Sequence, residues 1–167
     1  MNLPDNVSQT ELFNRIKSIY TEVTQNNVHI PENVTGYIRE IIKCLTGNRL
    51  DLEQLSSYAN GILYWYYDQG FREVPMHVAL SRFALDIVKM CDITKTLSQV
   101  ESLLFRTKAP ADLREIAGIL KNLLAIFAPD GRMDEERYSK LVPQLRDLCV
   151  SNEEILKKSV DHAIFYI

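Results

Sequence analysis

The hydrophobic residues of this chain recur at intervals of three and four positions over most of its length, which is the spacing of one face of an α-helix. The segment 9–26 shows the pattern well, because its leucine, isoleucine, tyrosine and valine residues follow this spacing with polar residues between them. Strand-type alternation is nearly absent. Its best candidate, 28–30, is only three residues long and runs into Pro31, so we expect a loop there. The pattern predicts an all-α fold.

Three predicted helix starts share a capping-box sequence, in which a cap residue is followed three positions later by Glu or Gln. They are Ser8 with Glu11, Asp51 with Gln54, and Ser151 with Glu154. A pair of apolar residues also brackets each start, as a hydrophobic staple does. Prolines at first-turn positions and glycines after the last turn mark further boundaries.

Together these signals predict a compact bundle of about eight helices with short loops, in a single domain spanning 1–167. The predicted helices cover about 9–26, 31–47, 52–69, 75–91, 95–106, 110–128, 134 onward with a break or kink at Pro143, and 152 nearly to the C-terminus. The fourth, 75–91, has apolar residues on two sides and only Arg82, Asp86 and Lys89 as a polar edge, with Arg82 and Asp86 at salt-bridge spacing. We therefore expect it to be the central helix, with 110–128 as its main partner.

Composition and charge exclude several classes of function. The formal net charge is −3, and the acidic and basic residues are mixed along the chain, without the basic stripe that nucleic-acid binding requires. No apolar run reaches the ~20 residues of a membrane-spanning helix, and the N-terminus lacks the features of a secretory signal. The three cysteines lie among apolar residues, without disulfide or zinc spacing. We expect a soluble, cytoplasmic protein with reduced thiols and no metal or cofactor.

The segment 58–71 is the most unusual part of the sequence. It contains six of the fifteen aromatic residues and the only tryptophan. Four consecutive aromatic side chains cannot all face one core, because successive positions on a helix diverge by about 100°. Three explanations remain. Other helices cover the surplus rings, or the rings form a partner surface, where tyrosine and tryptophan are enriched. The third is a platform on which a ligand or nucleobase stacks, although the basic groove that accompanies such stacking is missing. The predicted partner-binding residues are Tyr64, Trp65, Tyr67 and Phe71, with Asp68, Arg72 and Glu73 as a polar rim.

A second candidate is the acidic segment 130–136, which reads Asp-Gly-Arg-Met-Asp-Glu-Glu. It lacks the ligand spacing of an EF-hand, because Ala128 and Arg137 occupy key positions. The segment resembles, over fewer than ten residues and without a second copy, the acidic turn of the tellurite-resistance TerB-like helical domains. We interpret it as an Asp-Gly turn followed by an acidic first helical turn, which complements the helix dipole.

No catalytic motif accompanies these features. His29, His77 and His162 show none of the spacings of metal or catalytic sites, and the six glycines form no phosphate-binding loop. We therefore favour a non-enzymatic helical interaction module, such as an adaptor, a regulatory protein or a toxin-neutralising immunity-type protein. Its partner would be another protein or a second copy of the chain. The alternative is a helical small-molecule-binding or metal-dependent enzyme, with its site between the third, fourth and sixth predicted helices.

Overall fold

The computed structural model describes residues 2–106 and 110–152. Within these ranges the chain forms six α-helices and no strand beyond one isolated bridge between Phe127 and Met133. The helices are α1 (Gln9–Gln25), α2 (Glu32–Thr46), α3 (Leu52–Gln69), α4 (Pro75–Leu103), α5 (Pro110–Ala125) and α6 (Glu135–Ser151). The all-α prediction is confirmed, whereas the predicted number of eight helices is wrong for the described residues.

Two of the three predicted helix starts are confirmed as N-caps, although the Ser8 amide bonds to the Pro129 carbonyl and not to the Glu11 side chain that a capping box would use. The Ser8 hydroxyl accepts a hydrogen bond from the Glu11 amide at the start of α1. Asp51 accepts bonds from the amides of Glu53 and Gln54 at the start of α3. Each cap satisfies amide donors that the first turn of a helix leaves without a partner.

The third predicted helix start, at Ser151, is wrong. Ser151 is the last residue of α6, and its hydroxyl donates to the carbonyl of Asp147 four residues earlier. A serine hydroxyl can donate to a carbonyl of the preceding turn as well as accept from an amide of the following one. Serine therefore occurs at the C-terminal end of a helix as well as at the N-terminal end. The remainder of the helix predicted from 152 onward lies outside the described residues.

The helices predicted at 75–91 and 95–106 are one continuous helix, α4, of 29 residues. The intervening residues contain no glycine or proline to end the first helix. Thr94 and Thr96, which could have capped a new helix, instead donate their hydroxyls to the carbonyls of Met90 and Asp92. The threonines therefore remain inside the helix.

The predicted break at Pro143 is also absent, because α6 is helical on both sides of this residue. Proline removes the amide that would bond to the carbonyl of Ser139. Both Pro143 and Ser139 are exposed, so water can satisfy that carbonyl and the cost of the missing bond is reduced.

The helices pack so that α4 touches α1, α3 and α5, which confirms its central position. Its most extensive contact is with α3, ahead of α5, which the sequence had suggested as the main partner. α2 lies against α1 and α3, and α6 packs chiefly on α5. The side chains that fill the centre of the bundle are fully buried and apolar; among the largest are Phe83, Leu12, Ile38, Leu55, Ile87 and Leu120. No helix of the described residues is long and apolar enough to cross a bilayer.

Candidate functional site

The last two turns of α3 and the turn that follows it present three aromatic side chains to solvent. Tyr64 is 79% exposed, Tyr67 70% and Phe71 59%. Asp68, Arg72 and Glu73 lie among them and are also exposed. We call these six residues the aromatic surface. Exposed aromatic side chains of this size are uncommon on a protein surface and are typical of binding sites.

Trp65 is largely buried beneath this surface and lines, with Tyr64 and Asp68, the groove between α2 and α3. Its side chain is 8% exposed, and its ring contacts the His77 imidazole edge-on, with centroids 4.8 Å apart. Tyr64 and Trp65 are neighbours in sequence, but the helix turns by about 100° between them, so one ring faces solvent and the other faces the core. Six of the seven predicted residues are therefore exposed, and the tryptophan is buried.

Two grooves run along α3 on either side of the Tyr64 ring. One lies between α2 and α3 and includes Tyr37 and Asp68; the other lies between α3 and α4 and includes Cys91 and Lys95. Gly61 lines both grooves. A methyl group at this position would come within 2.7 Å of the Tyr37 ring, so glycine allows α2 to approach α3 closely. Tyr64 thus stands as a ridge between two depressions, a shape that a complementary surface can engage.

The charges around the aromatic surface are of both signs, because Arg72 lies between Asp68 and Glu73 in sequence and Lys95 lines the groove beside Tyr64. Glu53 and Asp68 are the only charged residues of α3, which contains no lysine or arginine. The turn after α3 adds Arg72 and Glu73. Exposed tyrosine rings beside carboxylates attract cations, because the ring face and the carboxylate both carry negative potential.

A group of polar side chains lies where α4 faces α1 and α6. We call its members, Arg15, Asp86, Lys89 and Tyr138, the polar cluster. Arg15 of α1 donates from Nη2 to Asp86 of α4 at 2.8 Å, and Lys89 Nζ lies 4.3 Å from the centre of the Tyr138 ring. Burial raises the pKa of Asp86, and the opposing attraction of Arg15 does not offset it; burial likewise lowers the pKa of Lys89. Among the described residues, Arg15 Nη1 and Tyr138 Oη are buried without a hydrogen-bond partner.

The polar cluster corrects two predictions about α4. Asp86 and Lys89 were expected to form its solvent-facing edge, but they are 8% and 6% exposed. Arg15 of α1 and the Met133 main chain bond to Asp86, and Tyr138 of α6 lies against Lys89. Arg82, expected to pair with Asp86, instead pairs with Glu135 of α6 at 3.4 Å. Neither contact could be read from the sequence of α4 alone, since both partners come from distant segments.

The acidic segment 130–136 forms the predicted turn and helix start. Asp130 accepts a hydrogen bond from the Arg132 amide, and Gly131 adopts a positive φ of 78°. Asp134 caps α6 by accepting from the Arg137 amide. These carboxylates are used within the turn and the cap, in agreement with the structural interpretation of the segment.

No group of three or more His, Cys, Asp or Glu side chains in residues 2–106 and 110–152 is placed to hold a metal ion. His77 is buried, and both its ring nitrogens bond to main-chain groups. Burial raises the pKa of the Cys91 thiol to about 12, so this cysteine is a poor nucleophile.

His77 is the residue at this site that sequence reasoning missed. It lies in the first turn of α4, where the sequence gives no sign that the imidazole is buried against the end of α3. In the structure it contacts both Trp65 and Phe71.

Comparison of the chain with family models, with curated proteins and with solved structures gives no match.

Proposed function

We propose that this protein is a non-enzymatic helical interaction module of the adaptor, regulatory or immunity type. It docks through the aromatic surface onto a partner protein that inserts apolar side chains beside Tyr64 and places polar side chains against the rim of Asp68, Arg72 and Glu73. The observation that carries the proposal is the exposure of Tyr64, Tyr67 and Phe71 together at one end of a helix with a rigidly packed opposite face.

The energetics support docking at this place. Tyrosine rings supply large contact area at a low cost in conformational entropy, and interface hot spots are enriched in them. The helix that carries Tyr64 and Tyr67 is held by extensive contacts with α4 and further contacts with α2, so the surface is preorganised. Preorganisation reduces the entropy that binding must overcome.

Photo-crosslinking in the native host tests the proposal directly. A benzophenone amino acid at position 64 should crosslink to one partner protein, whereas the same group at position 105 should not. Phe105 is the matched control, because it is 93% exposed and lies at the other end of α4 from the aromatic surface. Crosslinks that are the same from both positions, or that join two copies of this chain, would contradict a specific partner of different sequence.

With the purified partner, Tyr64→Ala and Tyr67→Ala should each weaken binding by about 10- to 30-fold in a calorimetric titration, as expected for hot-spot truncation. Phe105→Ala should leave the affinity unchanged. The rings of Tyr64 and Tyr67 are largely exposed, so both substitutions should change stability by less than about 0.5 kcal/mol. Unchanged affinity in both tyrosine variants would show that the partner binds elsewhere.

A further inference from the structure

The groove between α2 and α3, which has a volume of about 460 Å³, is lined by three aromatic side chains. Tyr37 comes from α2, and its ring packs against Gly61 of α3. Tyr64 and Trp65 both lie about one helical turn after Gly61, so the three rings are neighbours. Tyr64 is exposed and Trp65 is largely buried, which gives the groove one outer ring and one deeper ring.

The polar groups of this groove are hydrogen-bond acceptors and one negative charge. Asp68 lies one helical turn beyond Tyr64 and is exposed. Asn33 and Gln69 also line the groove, and their side-chain amides each contain an oxygen that can accept a hydrogen bond. No lysine or arginine of the described residues lines it, since Lys95 lies in the groove on the other side of Tyr64. The groove is therefore negative, although the surface around it carries both signs.

The Asp68 carboxylate is available to a ligand. The nearest arginine in sequence, Arg72, follows the end of α3 and is exposed. Within residues 2–106 and 110–152, Arg72 pairs with no carboxylate and Asp68 pairs with no cation. A cation that enters the groove therefore does not have to displace an existing ion pair.

We infer that this groove receives an arginine side chain of the partner protein. The inference rests on the proposed docking function, because it specifies one of the side chains that the partner places against the aromatic surface. A guanidinium group is planar, so it can stack on an aromatic ring while its five N–H donors point outward in its own plane. The Asp68 carboxylate and the amide oxygens of Asn33 and Gln69 accept such donors.

Other side chains fit the groove less well. An apolar side chain would cover the Asp68 carboxylate and the two amides without providing hydrogen bonds to them, which is costly. A lysine ammonium is more strongly hydrated than a guanidinium and has no flat face to stack on a ring. The groove is open to solvent, so it does not enclose an ammonium from all sides.

The full-length protein can be tested without the partner, with N-acetyl-arginine methylamide as the probe. Trp65 is the only tryptophan of the chain, so its indole N–H gives a single nuclear magnetic resonance signal that reports on the groove. This signal should shift and saturate as the probe is added. The corresponding citrulline derivative, which replaces the guanidinium by an uncharged urea of the same shape, should bind about 5-fold more weakly. The lysine derivative should also bind more weakly than the arginine probe.

Two matched pairs of variants locate the binding. Tyr64 and Tyr67 are both exposed tyrosines of α3, but only Tyr64 lines the groove. Tyr64→Leu should weaken binding of the arginine probe by about 3-fold, and Tyr67→Leu should leave it unchanged. Asp68→Asn should weaken it by about 3- to 5-fold without affecting the citrulline derivative. Glu73→Gln, which removes an exposed carboxylate outside the groove, should have no effect.

An indole signal that does not respond to the arginine probe would overturn the inference. Equal affinity for the arginine and citrulline derivatives, tighter binding of the lysine derivative, or equal losses in Tyr64→Leu and Tyr67→Leu would also overturn it. The docking surface itself would still stand in these cases if Tyr67→Ala weakened partner binding, because Tyr67 lies outside the groove. Unchanged partner affinity in both Tyr64→Ala and Tyr67→Ala would instead contradict the docking surface.

Discussion

Replacing Asp86 by alanine should lower the free energy of unfolding by about 3–5 kcal/mol, measured by urea denaturation at neutral pH. The Asp86 carboxylate accepts the Arg15 guanidinium at 2.8 Å and also a main-chain hydrogen bond from Met133. Alanine leaves this buried guanidinium without its partner, with the Lys89 ammonium one helical turn away. Removing one member of a buried ion pair is costly because the remaining charge is neither paired nor hydrated.

Two controls separate the loss of the acceptor from the loss of charge. Asp86→Asn keeps an acceptor for Arg15 but removes the negative charge, so only part of the lost stability should return. Glu101→Ala breaks an exposed pair with Lys121, at 3.6 Å, and should cost less than about 1 kcal/mol. A loss in Asp86→Ala no larger than that in Glu101→Ala would contradict a structural role for the polar cluster.

The same carboxylate should leave a signature in the pH dependence of stability. Burial raises the pKa of Asp86 in the folded state, so the folded protein holds this proton more tightly than the unfolded chain does. The resulting stabilisation is present below the unfolded pKa of about 3.9 and is lost as the pH rises through the folded pKa. Asp86→Asn cannot titrate, so its stability relative to the wild type should rise over that window. A constant difference between pH 3 and 7 would contradict the raised pKa.

Replacing Gly131 by alanine should lower the free energy of unfolding by about 2–4 kcal/mol. Gly131 has a φ of 78°, a left-handed conformation that costs a residue with a side chain about 1–2 kcal/mol. The added methyl group would also overlap Cδ2 of Leu12, which is fully buried in α1. Overpacking of a core adds about 1–3 kcal/mol, reduced where neighbours can shift.

Gly118→Ala is a control that should change the free energy of unfolding in the opposite direction. It is exposed within α5, and a methyl group there meets no atom within 4 Å. Gly118→Ala should therefore stabilise the protein by about 0.5–1 kcal/mol through its higher helix propensity. If Gly131→Ala and Gly118→Ala changed the free energy of unfolding by similar amounts, this would contradict the left-handed conformation of Gly131 and its close approach to Leu12.

Local signals predicted the helices well, because caps and breakers act over three or four residues. Ser8, Asp51 and Pro75 begin helices, and Gly70 follows the end of α3. The local signals failed where one residue type can bond in two ways. Ser151 was expected to cap a new helix, but its hydroxyl donates to the Asp147 carbonyl within α6. They also failed at 92–94, where threonine hydroxyls bond to helix carbonyls and no cap forms.

At the candidate site too, the sequence predicted what depends on neighbouring residues and missed what depends on contacts between helices. The helical periodicity correctly separated Tyr64 from the core face of α3, since that depends only on the angle between successive residues. The burial of Trp65 and of His77 depends on how the start of α4 packs against the end of α3. Asp86 and Lys89 looked like a polar edge because Arg15 and Tyr138, which contact them, are distant in sequence.

The extensive packing of α3 on α4 has a consequence for how a partner could be detected. α3 carries the aromatic surface, and α4 is the helix that contacts α1, α3 and α5. Docking on α3 is therefore linked to the global unfolding equilibrium, because α3 cannot separate from α4 without exposing the centre of the bundle. A ligand that binds only the native state at 100 times its Kd adds about 2.7 kcal/mol of stability. A cognate partner should thus appear as an upward shift of the melting temperature of the whole molecule.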